Sequence, residues 1–346
     1  MKKLVSLLIS LGLLALLYWK IDITRLLPVF LNCNPLWMTL SLAMVVPLTL
    51  ATAWRLQQLM PRAEQLGFGE ANRLILVASV LNLILPSKMG DIAKAWFMRD
   101  RGHLGGTLAL SLVVFEKTCD MLSLLLWCVF GLVWLGFATI NGTSGFDPVD
   151  VAHHSGASGQ SLPWAVSKGA MLYLLALSVV ASMLVLGLLL LGSHTFAHFF
   201  FNTATRYAPK KIGAKFAKLG ASWSEMHRYF WASPARLAKV AFMSVFIWFL
   251  HLLQIWMFIL ALRAWAPFLA NLALSPLAII AGLLPLTFAG VGTRDAALVL
   301  FYAPYFDAPT AAALGLLCTA RYILPALGGL PFAGNYLQMT RREAGA

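Results

Sequence analysis

The chain has 346 residues, of which 60% are hydrophobic and 11% charged, and its mean hydropathy is +0.80. Soluble domains carry about 25% charged residues, so this composition excludes a soluble globular domain and predicts an integral membrane protein. The formal net charge is +13. We assign the excess Lys and Arg to loops between apolar helices, where they set orientation and attract anionic headgroups, so nucleic acid is not an expected partner.

The apolar segments lack the alternating pattern of outer-membrane strands, which predicts an all-α protein. Neither a G-x-S-x-G nor a Walker motif occurs in the sequence, so we expect neither an enzyme nor an ATPase. The four cysteines form no C-x-x-C pair and the seven histidines no H-E-x-x-H motif. We therefore expect no disulfide framework, metal site or cofactor.

Six apolar segments are predicted to cross the membrane as full helices. They are residues 4–19, 36–59, 104–140, 169–191, 240–262 and 308–339. The first follows Met1-Lys2-Lys3 and precedes no small-x-small cleavage site, which predicts an uncleaved helix with a cytoplasmic N-terminus. The last is predicted to be broken by Arg321, Pro325 and Pro331.

Two further apolar segments, 74–85 and 272–286, are too short to cross a core about 30 Å thick. Each runs into a break rich in Pro or Gly that carries charge. The breaks contain Pro86, Lys88, Gly90 and Asp91 in the first case, and Gly290, Gly292, Arg294 and Asp295 in the second. We predict that both segments are re-entrant, the first from the cytoplasmic face and the second from the opposite face.

Residues 36–140 then contain a membrane-spanning helix, a re-entrant segment, a short helix and a second membrane-spanning helix, and 240–339 repeat this order upside down. The basic stretch 193–239 joins them as a cytoplasmic linker on the membrane surface. The prediction is an all-α polytopic membrane protein forming one integral membrane domain over 1–346. It has about six full transmembrane helices plus two re-entrant segments in an inverted repeat, with both termini cytoplasmic. Broken helices at matching positions indicate a transporter's binding site.

The second break favours anion binding, because backbone N–H groups ahead of a helix can hold a phosphate. Arg294 can bind the same phosphate or pair with Asp295. The alternative is that Gly290 and Gly292 only form a turn and Arg294 anchors at the interface. In the first break, Asp91 can cap a helix and Lys88 or Lys94 can meet a headgroup; the alternative is capping with solvated lysines.

Charged residues also lie inside two predicted membrane-spanning helices. Glu116 and Asp120 are four positions apart and repel unless a cation lies between them, which, with Lys117 beside them, favours a polar cavity over a position at the membrane rim. Arg321 lies deep in the last helix, where a charge costs at least ~2.5 kcal/mol. Its candidate partners are Glu116, Asp120 and Asp295, and structural pairing and substrate contact both stay open.

These residues resemble the lysylphosphatidylglycerol synthase transmembrane-region family, also called the flippase-like domain family, over nearly the whole chain. Its pattern is a Pro-x-x-x-Gly-Asp/Glu break, an acidic–Arg–x–x–Asp cluster and a Gly-Gly-x-Gly-x-Arg-Glu break. The matching residues are Pro86, Gly90 and Asp91; Glu116, Lys117 and Asp120; and Ala289, Gly290, Gly292, Arg294 and Asp295. Lys117 stands where the family has Arg, Ala289 where it has Gly, and Asp295 where it has Glu. Charge is kept, but bidentate geometry at 117 is lost.

The resemblance implies a bacterial inner-membrane protein that moves phospholipids or other amphiphiles between leaflets, with membrane lipids as its partners. Full-length synthases add a soluble aminoacyl-transferase domain, which this sequence lacks, so synthase activity is not expected. We expect Lys117, Arg294 and Arg321 to hold an anionic headgroup. The carboxylates are expected to balance charge or carry a proton; they are Asp91, Glu116, Asp120 and Asp295.

Two alternatives stay open. One is an ion-coupled carrier of a small soluble solute. The other is a non-transporting membrane subunit that works beside an envelope-lipid synthesis enzyme, for example in a hopanoid or aminoacyl-lipid pathway. The sequence also leaves open whether the protein forms a homo-oligomer.

Overall fold

A computed structural model of the protein describes residues 23–84, 90–102, 104–140, 163–283 and 292–343. Every regular element in these ranges is helical, which confirms the all-α class. The α-helices are α1 Leu26–Leu31, α2 Pro35–Ala43, α3 Val45–Leu59, α4 Phe68–Ile84, α5 Gly90–Gly102, α6 Gly106–Ile140, α7 Pro163–Gly192, α8 His194–Tyr207, α9 Lys210–Trp231, α10 Pro234–Ala261, α11 Phe268–Leu283, α12 Thr293–Tyr302 and α13 Ala308–Glu343. The predicted helix 4–19 and the site residues Pro86, Lys88 and Gly290 lie outside the described residues.

Five helical segments are long and apolar enough to cross a membrane. They are Pro35–Leu59, Leu108–Phe137, Tyr173–Gly192, Pro234–Ala261 and Ala308–Gly334, and they match the last five predicted membrane-spanning helices. The protein is therefore a multi-pass membrane protein. The predicted break in the last helix is wrong, because α13 continues through Pro325 and Pro331. Membrane helices tolerate proline where neighbouring groups satisfy the freed backbone carbonyls.

The two short apolar segments form α4, with 17 residues, and α11, with 16 residues. Both begin earlier than predicted, α4 at Phe68 and α11 at Phe268. At 1.5 Å per residue they are roughly 25 Å long, still shorter than a core of about 30 Å. Helix α4 packs on the short helix α5, and α11 packs on the short helix α12. The order of elements in 35–140 and 234–343 is thus the same, while re-entrance and inverted orientation stay predictions.

The Cα framework divides into two compact units. Among the described residues, unit 1 comprises 23–45, 125–140, 163–182, 249–283 and 292–322. Unit 2 comprises 46–84, 90–102, 104–124, 183–248 and 323–343. The α11–α12 pair belongs to unit 1 and the α4–α5 pair to unit 2, so each unit contains one short apolar helix with its short companion.

The basic stretch 193–239 is more than a surface linker, because it folds into α8 and α9, which pack on each other within unit 2. Helix α8 begins after Ser193, whose Oγ accepts a hydrogen bond from the backbone N–H of Phe196 at 3.2 Å. One face of α9 enters the apolar core: Phe230 stacks on Phe115 with 3.7 Å between ring centroids, and Trp223 is buried. Trp223 and Phe230 of this basic stretch are therefore core residues of unit 2.

Unit 1 contains a buried polar network that joins three helices. Asn271 of α11 donates from Nδ2 to the carbonyl oxygen of Leu252 in α10 at 2.9 Å. Its Oδ1 lies 2.8 Å from the hydroxyls of both Ser275 and Tyr302, and these hydroxyls lie 2.8 Å from each other. Because buried polar groups are costly unless they are hydrogen-bonded, this network fixes α12 on α11 and α11 on α10.

Replacing Tyr302 with Phe is expected to lower the free energy of unfolding by about 0.5–1.5 kcal/mol, the net value of a typical buried hydrogen bond. The substitution removes one hydroxyl and leaves Ser275 bonded to Asn271. Unfolding in SDS titrations measures the change, and Tyr207→Phe, at an exposed position in α8, is the matched control. Equal unfolding midpoints for the two variants would contradict the role of the network.

Candidate functional site

Arg55 in α3 is the centre of a buried ionic cluster in unit 2. Its Nη1 lies 2.5 Å from Oδ1 of Asp120 and 2.9 Å from Oγ of Ser244, and its Nη2 lies 2.7 Å from Oε1 of Glu116. Arg55 is only 2% exposed and Glu116 only 1%. The guanidinium thus lies between the two carboxylates of α6, which is the arrangement that their four-residue spacing requires.

Two lysines complete this cluster. Lys94 of α5 is buried and its Nζ donates to Oε2 of Glu116, while it also lies 3.9 Å from Oδ1 of Asp91. Lys117 lies 3.0 Å from Oδ2 of Asp91 and 3.6 Å from Oδ2 of Asp120. The Lys117 side chain is 44% exposed, so this part of the cluster is open to the surface of unit 2.

The six residues form a closed ring of alternating charge, which we call the Glu116 ring. In order around the ring they are Arg55, Glu116, Lys94, Asp91, Lys117 and Asp120. Each cation contacts two carboxylates and each carboxylate contacts two cations, so the ring is neutral. Buried ion pairs are stable only with such close mutual compensation, and here three separate helices must pack correctly to provide it.

The sequence identified four members of the ring and missed two. Asp91, Glu116, Lys117 and Asp120 were all candidate site residues, and the structure brings them together. Arg55 was not among the candidates, although it lies within the predicted membrane-spanning segment 36–59 and within α3. The signal for Arg55 was present, since apolar residues continue on both sides of it.

Lys94 also differs from its sequence-based interpretation. It had been treated as a headgroup contact or a solvated lysine, but it is 2% exposed and paired within the ring. Gly90, at the start of α5, is buried close to Ala78 and Asn82 of α4, and a Cβ there would overlap their backbone atoms. A glycine at this position therefore allows α5 to begin against α4, which places Asp91 and Lys94.

Arg294 and Asp295 form a second buried pair, at the N-terminus of α12 in unit 1. Arg294 donates to Oδ1 of Asp295 from Nη2 at 2.6 Å and from Nε at 2.9 Å. Oδ2 of Asp295 accepts from the N–H of Gly292 at 3.1 Å, and Gly292 has a φ of 101°, which favours glycine. Gly292 therefore shapes the turn, and Arg294 pairs with Asp295, while anion binding at this break stays a prediction.

Arg294 also connects α12 to α13. Its Nη2 donates to the carbonyl oxygen of Gly315 at 2.9 Å and to Oγ1 of Thr319 at 2.7 Å, and its Nη1 lies 3.5 Å from the carbonyl oxygen of Cys318. These contacts use most of its N–H groups. Arg294 is therefore a bridge between the N-terminus of α12 and a face of α13.

Arg321 of α13 does not pair as the sequence predicted. Asp295 pairs with Arg294, and Glu116 and Asp120 pair within the Glu116 ring, so all three predicted partners hold other cations. Arg321 donates from Nη2 to the hydroxyl of Tyr322 at 2.9 Å, and its Cζ lies 4.9 Å from the Tyr322 ring centroid. It is 4% exposed, and its Nε and Nη1 have no hydrogen-bond partner in the described part of the chain.

These clusters can bind charged ligands and can exchange one charged partner for another. Within the described ranges, no group of three or more His, Cys, Asp or Glu side chains could hold a metal ion. The clusters combine carboxylates, guanidinium groups and ammonium groups on membrane-spanning segments and on the short helices α5 and α12. Such groups in membrane segments mark the pathways of ions, protons or charged substrates.

Comparison with known proteins places the chain in a family. No curated protein matches it. The family model described as the lysylphosphatidylglycerol synthase TM region matches residues 3–329, nearly the whole chain. The matched region includes the Glu116 ring, the Arg294–Asp295 pair and Arg321. The chain therefore belongs to the family of the lysylphosphatidylglycerol synthase TM region.

Proposed function

We propose that this protein moves an anionic phospholipid, or a related amphiphile, between the leaflets of a bacterial inner membrane, and that it acts as a transporter and not as an enzyme. The observation that carries the proposal is the Glu116 ring: six ionisable groups closed on one another, four of them on the apolar membrane-spanning segments Pro35–Leu59 and Leu108–Phe137. Charges are costly there, and a purely structural contact could be made by apolar side chains at lower cost. The family's name supports a lipid that carries phosphate.

The ring suggests how a charged headgroup could enter a membrane-embedded protein. Lys117 is the accessible member, with contacts to Asp91 and Asp120. A headgroup phosphate can replace a carboxylate on Lys117, since both are anionic oxygen acceptors. The remaining residues of the Glu116 ring then rearrange their ion pairs. The acyl chains stay in the bilayer beside the apolar helix faces. This pathway needs no cofactor.

The matching order of elements in the two halves supports an alternating-access mechanism. In our proposal the halves are threaded in opposite directions, with both termini cytoplasmic and the α4 and α11 segments re-entrant from opposite faces. Substrate sites of such transporters lie near the bilayer midplane, at the interface of the repeats. Cysteine labelling from each side of the membrane would test the orientation, using the exposed positions Leu83 near the end of α4 and Leu283 at the end of α11.

Translocation can be measured in proteoliposomes that contain phosphatidylglycerol with a fluorophore on one acyl chain. The fluorophore is one that dithionite reduces. We expect the protein to make inner-leaflet lipid accessible to dithionite. The double variant Arg294→Gln with Asp295→Asn removes both charges of the pair and so leaves no unpaired carboxylate. We expect it to slow translocation at least about tenfold, since an interaction worth 1.4 kcal/mol changes a rate tenfold.

The matched control is Arg206→Gln, at an exposed position of α8 outside the membrane-spanning helices. It should translocate lipid at the wild-type rate. Empty liposomes and wild-type proteoliposomes with equal dithionite accessibility would reject lipid transport. A wild-type rate for the double variant would instead remove the Arg294–Asp295 pair from the pathway.

A further inference from the structure

Arg321 is the most unusual charged residue among those described. It lies on α13 within the membrane-spanning segment Ala308–Gly334 and is more than nine-tenths buried. Three of its five N–H groups, on Nε and Nη1, have no partner in the described part of the chain. An uncompensated buried charge is strongly unfavourable. Arg321 cannot avoid this free-energy cost by losing a proton, because a guanidinium group remains charged at any physiological pH.

The two units differ in whether their buried charges are balanced. In unit 2 the Glu116 ring contains three cations and three carboxylates and is neutral, and only Nε of Arg55 lacks a partner there. In unit 1 the buried charged residues, among those described, are Arg294, Asp295 and Arg321. Asp295 compensates Arg294, so one positive charge is left over, and it belongs to Arg321.

Arg321 and Arg294 lie close to the same part of α13. Arg294 reaches the carbonyl oxygen of Cys318, with 3.5 Å between this oxygen and Nη1. Cys318 and Arg321 are three positions apart, which places them on neighbouring parts of one helix face. Arg321 therefore lies on the part of α13 that also contacts the Arg294–Asp295 pair, and this pair carries no net charge.

We propose that Arg321 is the principal anion-binding residue of unit 1, and that its ligand is a singly charged phosphate group. A phosphodiester carries one negative charge, which matches the one uncompensated positive charge among the buried residues described in unit 1. It also offers several acceptor oxygens to the free N–H groups of Nε and Nη1, and arginine is well suited to phosphate. The hydroxyl of Tyr322 holds the third nitrogen, Nη2, and so orients the guanidinium plane.

This assignment selects Arg321 among the cations that were expected to hold the headgroup. Arg294 and Lys117 were equal candidates by sequence, but Arg294 is neutralised by Asp295 and Lys117 by Asp91 and Asp120. A phosphate must displace a carboxylate to bind either of them, whereas at Arg321 it displaces none. That the phosphate belongs to a lipid rests on the proposed function; the anion site itself does not.

Binding to the purified full chain in detergent separates these statements. Native mass spectrometry or calorimetry would measure the affinity of short-chain phosphatidylglycerol, short-chain phosphatidylcholine and inorganic phosphate. The wild-type protein would be compared with Arg321→Gln, Arg321→Lys and the exposed control Arg206→Gln. We expect Arg321→Gln to weaken phosphatidylglycerol binding at least about tenfold, the loss expected for a charge-assisted hydrogen bond. Arg321→Lys should keep part of the affinity and Arg206→Gln all of it.

Thermal unfolding distinguishes the loss of the binding site from misfolding of the variant. Without ligand, Arg321→Gln should unfold no earlier than wild type, because it removes an uncompensated buried charge. Phosphatidylglycerol should stabilise the wild-type protein and not this variant. Preferential binding of phosphatidylglycerol identifies a lipid ligand, and equal binding of inorganic phosphate identifies a free anion; both support the site.

Phosphatidylglycerol affinity of Arg321→Gln within twofold of wild type would overturn the site, as would an absence of binding by wild type. Binding that depends on Arg321 in a protein that does not translocate lipid would keep the site and reject only the proposed function.

Discussion

Replacing Glu116 with Gln is expected to lower the free energy of unfolding by about 3–5 kcal/mol, the cost of removing one partner from a buried ion pair. Glu116 is 1% exposed and contacts both Arg55 and Lys94, which are themselves buried. Neutralising it leaves two buried cations to share the carboxylates of Asp91 and Asp120. Chemical unfolding in SDS, followed by tryptophan fluorescence or circular dichroism, measures the change.

The ring offers its own control. Lys117→Gln removes the member with the most exposed side chain, at 44%, while Asp91 keeps Lys94 and Asp120 keeps Arg55, so the expected change is below about 1 kcal/mol. Adding Lys94→Met to Glu116→Gln removes a cation together with the anion, and the double variant should regain at least about 1 kcal/mol over Glu116→Gln alone. A wild-type unfolding midpoint for Glu116→Gln would mean that the ring is not buried in the folded protein.

Replacing Gly329 with Ala is expected to destabilise the protein by about 1–3 kcal/mol or more, the typical cost of inserting a methyl group into a packed contact. Gly329 lies on α13 where this helix crosses α4 within unit 2. A Cβ at this position would overlap the carbonyl group of Leu76 and crowd Val80. Because Leu76 contributes backbone atoms, no change of side-chain rotamer can relieve the overlap, and the helices must separate. Small residues serve this purpose where membrane helices cross closely.

Gly334→Ala is the matched control, five residues further along the same helix. A Cβ at Gly334 would meet no atom within 4 Å, so this substitution should be neutral or stabilising by roughly 0.5–1 kcal/mol through helix propensity. The difference between the two unfolding midpoints isolates the contact between α4 and α13. If Gly329→Ala and Gly334→Ala unfold alike, α13 does not cross α4 at this point.

One of the three departures from the pattern of the resemblance is compatible with the geometry of the ring. The resemblance places arginine where this chain has Lys117, and lysine cannot form two parallel hydrogen bonds to one carboxylate as arginine can. In this structure Arg55 is the bidentate group, with Nη1 bonded to Asp120 and Nη2 bonded to Glu116 and, at 3.4 Å, to Asp120. Lys117 instead acts as a point charge between Asp91 and Asp120, a role that an ammonium group can fill.

The sequence by itself determined the class of the protein and the positions of the five apolar membrane-spanning helices that the structure describes. Hydropathy is a property of consecutive residues, and a helix that crosses a bilayer must be apolar along its whole length. Local charge patterns could be interpreted for the same reason. Glu116 and Asp120, four positions apart, predicted an intervening cation. Arg294 next to Asp295 at a glycine-rich break indicated a helix start that binds a charged group.

The tertiary structure alone decided how those charges are paired. Arg55 is separated from Glu116 by 61 positions and from Asp120 by 65, and no local pattern states which helices become neighbours. The same limit applies to Gly329, whose partner Leu76 lies on a different helix, and to Arg321, whose predicted carboxylates hold other cations. Pairing depends on which side chains meet across helix contacts, because the energy of a buried charge is set by atoms within a few ångströms and not by neighbours in sequence.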